Sequence, residues 1–405
     1  MSGTDETRAL AAASLVTVAS WLPVFLVGTL AIEIKASLHF DTTAFGLAVT
    51  LYYLGGAGFS VPVGRLSDRV GAARVMRVAT ACDAVLLALL AFVTQSWLGL
   101  ALLLIPCGMV NAATSAATNQ FLSRRLPALR QGRAFGVKQA AVPFASLLGG
   151  LSVPAIALTV GWRWAFALGV VIALTAGFVV PAPRTTLAAR RDARQVNPPE
   201  PVALAPLVFL ALALGLGLFA AGGLSAFLMS GGVAIGLAQG NVGLLAALAG
   251  AVAVVTRIAV GYRSDRYGSQ HFRTVALMLT AGSGGFVLLA IGSSTAASWA
   301  FASGAVVSLG VGWGWNGVFN LAVVRAHEHA PSTATGVTQV GGSTGGMFGP
   351  FVVGLVASHV SYLAAWLIAG GAALAAAAAV LVAGRLLAAR DILVAAPCLS
   401  RGSGG

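Results

Sequence analysis

Residues 64–71 read Gly64-Arg65-Leu66-Ser67-Asp68-Arg69-Val70-Gly71, and this polar stretch lies between two long apolar runs. A second copy starts 197 residues further on, at 261 against 64, and reads Gly261-Tyr262-Arg263-Ser264-Asp265-Arg266-Tyr267-Gly268. Both copies have the form Gly-x-x-Ser-Asp-Arg-x-Gly. One Asp-Arg pair beside glycine is common in turns, but two copies at matched places indicate that the chain consists of two related halves.

The composition indicates where the chain resides. Of its 405 residues, 58% are hydrophobic and only 9% are charged, whereas about a quarter of the residues of an ordinary soluble domain are charged. The apolar residues form continuous blocks of about 20, the length that a helix needs to cross a bilayer core roughly 30 Å thick. Strands of a membrane barrel would instead alternate apolar and polar residues in segments of about ten. The sequence therefore predicts an all-α integral membrane protein.

The apolar runs predict twelve membrane helices in two pseudo-symmetric halves of six. In the first half (residues 1–181) they cover 10–32, 43–63, 76–94, 97–121, 134–157 and 163–181. In the second half (residues 204–384) they cover 204–229, 240–261, 273–292, 297–322, 334–357 and 360–384. A Pro- and Arg-rich stretch at 182–203 is predicted to be a cytoplasmic linker, and residues 385–405 a poorly ordered cytoplasmic tail.

The helices of the two halves repeat as well as the polar segments. The run Ala134-Phe135-Gly136-Val137-Lys138-Gln139 matches Ala334-Thr335-Gly336-Val337-Thr338-Gln339 at an offset of 200. Matched order at a nearly constant offset predicts parallel halves that are related by an axis along the membrane normal.

The positive charge of the chain reports its orientation and not a nucleic-acid partner. The net charge is +13. If the Gly64 segment is cytoplasmic, 20 of the 24 Lys and Arg residues lie on that side, and only Lys35 and Arg163 lie on the other. This bias follows the positive-inside rule. Both termini are then cytoplasmic, as an even number of spans requires.

The repeated polar segment resembles the loop signature of the major facilitator superfamily of transporters, in its bacterial twelve-helix form, and the resemblance extends over residues 10–384. It implies a cell inner membrane protein that binds its substrate between the halves and works by alternating access. It also implies a gating role for the two segments, that is, for Gly64, Asp68, Arg69, Gly71, Asp265 and Arg266. Asp68 and Arg69 would latch the cytoplasmic face shut, with Asp68 at the positive end of the eleventh helix near Pro331. The alternative is a solvated turn that only sets the topology.

Glycines cluster in the fifth and eleventh spans, for example Gly149-Gly150 and Gly345-Gly346. Small residues let membrane helices approach closely, and paired glycines or proline let them bend. The two interpretations are static close packing and helices that flex during transport.

Charged residues inside a membrane helix are costly and are functional candidates by default. Asp83 is the only acidic residue inside a predicted span, and it is the one candidate carrier of a coupling proton. Lys138, followed by Gln139, lies about one turn inside span five, and Arg257 lies in span eight. Two cations would suit an anionic substrate. The alternatives are snorkelling of Lys138 to the interface and a gate or loop contact for Arg257.

Uncharged polar side chains complete the predicted substrate site. Asn111 lies in span four, Asn316 in span ten and Gln339 in span eleven, at the place equivalent to Gln139. They can hydrogen-bond a substrate or simply bond across helices. The remaining candidates are Asn119, Asn320 and the mid-span tryptophans Trp313 and Trp315.

The predicted function is secondary transport of a small solute, with a small organic anion favoured. Proton-coupled drug antiporters of this superfamily carry Arg-x-x-Gln-Gly in span four and Gly-Pro-x-x-Gly-Gly in span five. Here the equivalents are Leu104-Ile105-Pro106-Cys107-Gly108 and Ala145-Ser146-Leu147-Leu148-Gly149-Gly150, which argues against that activity. The alternatives are efflux of hydrophobic or cationic compounds and a non-transporting receptor of the same fold.

No sequence feature indicates an enzyme, a cofactor or a metal. The three cysteines have unrelated spacings, and His327-Glu328-His329 lacks the His-Glu-x-x-His spacing of a zinc site. No Gly-x-x-x-x-Gly-Lys-Ser/Thr loop for ATP is present in the sequence, so a gradient is expected to drive transport. The expected partners are a small-molecule substrate, the lipid bilayer and a coupling proton, and a monomer is expected.

Overall fold

The computed structural model describes residues 3–126, 128–181, 204–266, 271–327 and 331–399. The predicted linker at 182–203 lies outside these residues. In the first half, α1 spans Gly3–Thr29 and is followed by a short helix Ala31–Leu38. The other helices are α2 Thr42–Val70, α3 Ala72–Phe92, α4 Trp97–Arg125, α5 Ala128–Ser152 with a π-helical extension Val153–Ala157, and α6 Trp162–Val179.

The second half repeats this order. Its helices are α7 Leu204–Ala234, α8 Gln239–Arg266, α9 His271–Thr295, α10 Ser298–Ala326, α11 Pro331–His359 and α12 Tyr362–Leu399. Within α10, a π-helical stretch Val306–Gly312 interrupts the regular helix and a turn at 313–315 follows it. π-Helical segments often mark functional positions.

Eleven of the twelve helices are long and apolar enough to cross a membrane. The remaining one, α2, has 29 residues, about 44 Å of helix, which is also long enough to cross a bilayer core. The twelve-helix, two-half architecture predicted from the sequence is confirmed.

The polar segment at 64–75, which the sequence predicts to be a loop, is helical except at Gly71. Helix α2 continues to Val70, and only Gly71 separates it from α3. Gly71 has φ +91°, a conformation that glycine adopts without steric cost, and its N–H caps α2 by donating to the Ser67 oxygen. Helix α8 likewise continues to Arg266. The described parts of the repeated segments are therefore helix ends.

The latch itself stays a prediction. The side chains of Asp68, Asp265 and Arg266 lie outside the described part of the chain, while the Arg69 side chain is exposed.

The poorly ordered cytoplasmic tail at 385–405 stays a prediction. Helix α12 continues to Leu399, and its stretch Leu386-Leu387-Ala388-Ala389 consists of strong helix formers. Residues 400–405 lie outside the described residues.

Glycines let the two halves touch closely at one end of the bundle. A Cβ on Gly46 in α2 would lie 2.7 Å from the Pro350 oxygen in α11, and one on Gly28 in α1 would lie 2.5 Å from the Ser225 oxygen in α7. The Thr50 hydroxyl adds a bond of 3.0 Å to the Met347 oxygen in α11. These contacts lie towards the side opposite the Gly64 segment, which we call the outer end.

The same helix faces separate towards the Gly64 segment. On α2, Ser60 continues the face that carries Gly46 and Thr50, and its side chain is exposed. On α11, Gln339 continues the face that carries Pro350 and is also exposed. A Cβ on Gly336, a further turn along α11, would meet nothing within 4 Å. Among the described residues, α2 and α11 are thus in contact at the outer end and separate towards the end predicted to be cytoplasmic.

The glycines of α11 mainly serve packing inside the second half. Carbon atoms added to Gly341, Gly345 and Gly349 would overlap the backbone of α7. This regular Gly-x-x-x-Gly-x-x-x-Gly stripe supports the close-packing interpretation, whereas Gly346 instead contacts the ring of Tyr53 in α2.

Candidate functional site

Arg257 in α8 lies at the junction of the two halves. Its side chain is only 5% exposed. Nη1 donates to the backbone oxygen of Gln139 in α5 at 2.5 Å, and Nη2 donates to the backbone oxygen of Trp313 in α10 at 3.1 Å. The guanidinium carbon also lies 5.0 Å from the centroid of the Trp313 ring, within the range of a cation–π contact.

Lys138 lies in α5, next to the Gln139 carbonyl that Arg257 contacts. It is 2% exposed, so in this conformation it does not snorkel to the membrane interface. Its Nζ donates to Oδ1 of Asn119 in α4 at 3.1 Å. Because Asn119 itself is exposed, the ammonium group lies just beneath the surface of the opening.

The site thus contains two buried cations. Within the described part of the chain, neither Lys138 nor Arg257 has a carboxylate within ion-pair distance. Their partners among the described residues are neutral oxygens and an aromatic ring. Each ion loses hydration on burial, a cost of several kcal/mol that neutral partners repay only in part. An anion entering between them would supply the missing charge.

A row of aromatic rings beside Arg257 connects the second half to the first. The rings of Phe25 in α1 and Trp313 in α10 meet edge to face at 5.8 Å. Phe25 stacks on Trp21 at 5.7 Å, and Trp21 meets Tyr52 in α2 at 6.5 Å. Tyr52 in turn contacts Tyr53 at 5.3 Å. These five residues form an aromatic wall that begins at the Trp313 ring next to Arg257 and continues into the first half.

The predicted polar residues are only partly brought together. Asn111 Nδ2 donates to the backbone oxygen and the hydroxyl of Ser20 in α1, at 3.2 and 3.3 Å, so it bonds across helices. Asn316 Oδ1 accepts from Asn320 at 3.0 Å within α10. Gln339 is exposed on α11, and the Gln139 side chain is half-buried.

Trp315 does not join the cavity. It is 1% exposed, its ring meets that of Phe319 at 5.6 Å, and it packs on Gly217 in α7. It belongs to the core of the second half.

Asp83 is fully buried in α3, with 0% exposure. Within the described ranges of the chain, neither carboxylate oxygen has a hydrogen-bond partner, and the Thr114 hydroxyl is also buried without one. An ionised carboxylate in such surroundings would be costly, so the neutral acid is the stable form.

At the outer end, polar side chains join neighbouring helices by hydrogen bonds that the sequence did not indicate. Lys35 in the short helix donates to Thr42 Oγ1 at 3.2 Å and to Ser230 Oγ in α7 at 3.4 Å. Thr43 and Ser358 join α2 to α11 by a hydroxyl contact of 2.8 Å. The carboxylate oxygens of nearby Glu33 are buried, and this desolvation raises the pKa of Glu33, although the interaction of the carboxylate with its own backbone N–H lowers it.

Most of this arrangement joins residues far apart in the chain. The Arg257–Gln139 and Lys35–Ser230 pairs are separated by 118 and 195 residues, and no spacing rule connects them. The Trp21–Phe25 pair did carry a signal, because residues four apart lie on one helix face.

Comparison with known proteins agrees with this architecture. Residues 13–350 match the family model of the Major Facilitator Superfamily. Two proteins of Agrobacterium vitis, each named "Putative tartrate transporter", are 25% and 24% identical over 369 residues. These alignments cover 82% of this chain and 79% and 82% of the relatives.

Two solved structures share the fold at 14% sequence identity. A mutant of the nucleoside transporter NupG has a TM-score of 0.69, over 92% of this chain and 99% of that one. A bacterial homologue of the human lysosomal transporter Spinster, in an inward-facing and unoccupied conformation, has a TM-score of 0.64 over 96% and 97%. Since the family model covers more than four-fifths of the sequence, the chain belongs to the Major Facilitator Superfamily of membrane transporters.

Proposed function

We propose that this protein moves a small organic anion, of the hydroxydicarboxylate class that includes tartrate, across the cell inner membrane by alternating access. The observation that carries the proposal is the pair of buried cations, Lys138 and Arg257, without a carboxylate partner among the described residues. Two positive charges in a cavity attract an anion and hydrogen-bond it strongly. The names of the two Agrobacterium vitis relatives support the dicarboxylate class.

The contact of α2 with α11 at the outer end and their separation towards the opposite end support alternating access. The proposal includes outward opening, in which the Lys35–Ser230 and Thr43–Ser358 contacts break and the repeated segments approach each other. Gly64, Asp68, Arg69 and Gly71, with Asp265 and Arg266, would then form the cytoplasmic latch. The rigid turn at Gly71, with its φ of +91°, would hold the latch residues at the end of α2.

Proton symport is the proposed mode of coupling. Asp83 is a buried acid that is stable when neutral, and it can carry a proton only if another conformation exposes it to water or to a cation. Asp83 would therefore gain and lose its proton as the two halves move between the inward-open and outward-open conformations.

A thermal-shift screen on the purified protein tests the substrate class. A ligand that binds the folded state raises the melting temperature by mass action. Tartrate, succinate and lactate are compared with lipophilic cations such as tetraphenylphosphonium. A shift with tartrate that is lost in Lys138→Gln and Arg257→Gln supports the anion, and uptake of labelled tartrate into proteoliposomes then tests transport.

Efflux of hydrophobic or cationic compounds is the second candidate. The aromatic wall from Trp313 to Tyr53 favours it, because aromatic faces bind apolar and cationic ligands. Melting shifts only with the lipophilic cations, unaffected by substitution of Lys138 or Arg257, would support efflux and contradict the anion proposal.

A further inference from the structure

Two hydrogen-bond donors in the candidate site have no acceptor among the residues that the structure describes. They are Nε of Arg257 and the indole Nε1 of Trp313, and both atoms are buried. The two side chains are 5% and 6% exposed. Buried donors are nearly always paired in folded proteins, so each unpaired donor requires an explanation.

The two donors belong to side chains that hold each other in place. The guanidinium lies over the Trp313 ring, 5.0 Å from its centroid, and its Nη2 donates to the Trp313 carbonyl. Nη1 is bound to the Gln139 carbonyl. Both Nη atoms of the guanidinium thus make hydrogen bonds, whereas the buried Nε–H has no acceptor among the described residues. Phe25 packs edge to face on the indole and restricts the ring that carries the second N–H.

The chemistry of the two donors defines the ligand atom. Arginine and tryptophan side chains only donate hydrogen bonds, so the group that satisfies them must be an acceptor. The positive charge of Arg257 favours an anionic acceptor and repels an ammonium group. A carboxylate has two oxygens and can accept from both donors, with charge-assisted bonds.

We propose that Arg257 Nε and Trp313 Nε1 together form a subsite for one carboxylate of the substrate, and that Lys138 receives a second acidic group. This inference rests on the proposed anion transport and adds to it a selectivity. A dicarboxylate engages both cations, whereas a monocarboxylate engages one of them. Trp313 thereby acts as a specificity residue that contacts the substrate.

The test uses the purified full-length protein with tartrate and lactate as probes, and dissociation constants are measured by titration. Trp313→Phe keeps an aromatic ring against Arg257 and Phe25 and removes the N–H. Trp315→Phe is the matched control, because it removes an indole from the same helix at a position that packs in the core. We expect Trp313→Phe to weaken tartrate binding about tenfold or more, as for loss of a hydrogen bond to a charged group, while Trp315→Phe binds like the wild type.

A second measurement leaves Trp313 intact. The wild type should prefer tartrate over lactate about tenfold or more, and Lys138→Gln should bring the two dissociation constants together, because one charge-assisted contact is lost. Wild-type tartrate binding by Trp313→Phe would overturn the subsite while the anion proposal stands. An unchanged tartrate-to-lactate ratio in Lys138→Gln would overturn the assignment of the second acidic group. A wild-type protein that binds neither probe would overturn the anion proposal and the subsite together.

Discussion

Arg257 Nη1 donates a hydrogen bond of 2.5 Å to the backbone oxygen of Gln139, and this bond joins α8 of the second half to α5 of the first. The acceptor belongs to Gln139, the residue directly after Lys138. Neighbouring residues of α5 therefore provide one buried cation of the site and a hydrogen-bond acceptor for the other. The bond shows that Arg257 is at once a charge in the site and a contact between the halves. Its charge and its geometry can be separated by substitution.

Arg257→Lys keeps the charge but loses the planar fork that reaches Gln139 and Trp313. Since a lysine cannot reproduce that geometry, we expect tartrate binding to weaken about tenfold, and Arg257→Gln to weaken it further. The measurement is titration of purified variants. Arg385→Gln, which removes an exposed arginine of α12, is the control. Equal affinities for Arg257→Lys and Arg257→Gln would show that the charge contributes nothing.

Lys138→Gln should lower the rate of tartrate uptake into proteoliposomes about tenfold or more, because one of two charge-assisted contacts is lost. Asn119→Ala removes the neutral partner of the ammonium group, keeps the charge and should have a smaller effect. Unchanged uptake by Lys138→Gln would show that this lysine does not contribute to substrate binding.

Asp83→Asn mimics the protonated acid, so it should fold normally and melt at or above the wild-type temperature. Uptake that is driven by a proton gradient should be lost, whereas exchange of internal for external tartrate, which needs no net proton movement, should persist. Both are measured in the same proteoliposomes. Gradient-driven accumulation by Asp83→Asn would exclude this residue as the proton carrier.

Asp68→Asn removes the charge that would latch the cytoplasmic face without changing the size of the side chain. We expect turnover to slow about tenfold, with tartrate affinity changed less than threefold, because the loss of a helix-end charge interaction costs on the order of 1 kcal/mol. Initial rates and titrations on the same preparation separate the two quantities. A normal turnover rate would leave the repeated segment with a purely topological role.

Much of the architecture could be predicted because membrane helices and internal repeats leave local signals. The apolar blocks gave the spans, and the repeat around Asp68 and Asp265 gave the two halves. The end of α2 was misplaced because the polar residues up to Val70 are helical, and hydropathy alone cannot distinguish a polar helix end from a loop. The sequence also placed Lys138 and Arg257 in the membrane.

The partners of these cations could not be predicted. Asn119, the Trp313 carbonyl and the aromatic wall meet them only after helices from both halves have packed. Trp313 and Trp315 illustrate this limit of sequence-based prediction. The two tryptophans lie two residues apart in α10, next to its π-helical stretch, but their indoles have different surroundings. One lies on Arg257 and the other lies in a core against Gly217. A sequence pattern with two tryptophans in three residues does not distinguish these environments.

Glu33 should make closure of the outer end depend on pH. Burial raises the pKa of Glu33 in the closed form, and burial also lowers the pKa of Lys35, against the attraction of Asp41. A carboxyl whose pKa is raised on closure binds its proton more tightly when closed. At low pH, Glu33 is protonated in both the open and the closed form and does not oppose closure. As the pH rises above the ordinary pKa of a glutamic acid, about 4.3, the open form loses this proton first, so closure becomes progressively less favourable. His39, in the same segment, is exposed.

A single cysteine introduced at Thr43, which bonds Ser358 across the outer end, reports this opening through its reaction with a membrane-impermeant maleimide. In a background without the native cysteines, we expect the rate of labelling, corrected for thiol ionisation, to rise as the outer pH is raised from about 5 to about 8. Glu33→Gln should remove that rise and hold the rate at its low-pH level, because an amide has no charge to desolvate. Ser230→Ala, which deletes an acceptor of the Lys35 bond, should raise the rate at every pH without changing its slope. The same pH slope in Glu33→Gln as in the parent would show that another group controls the outer end.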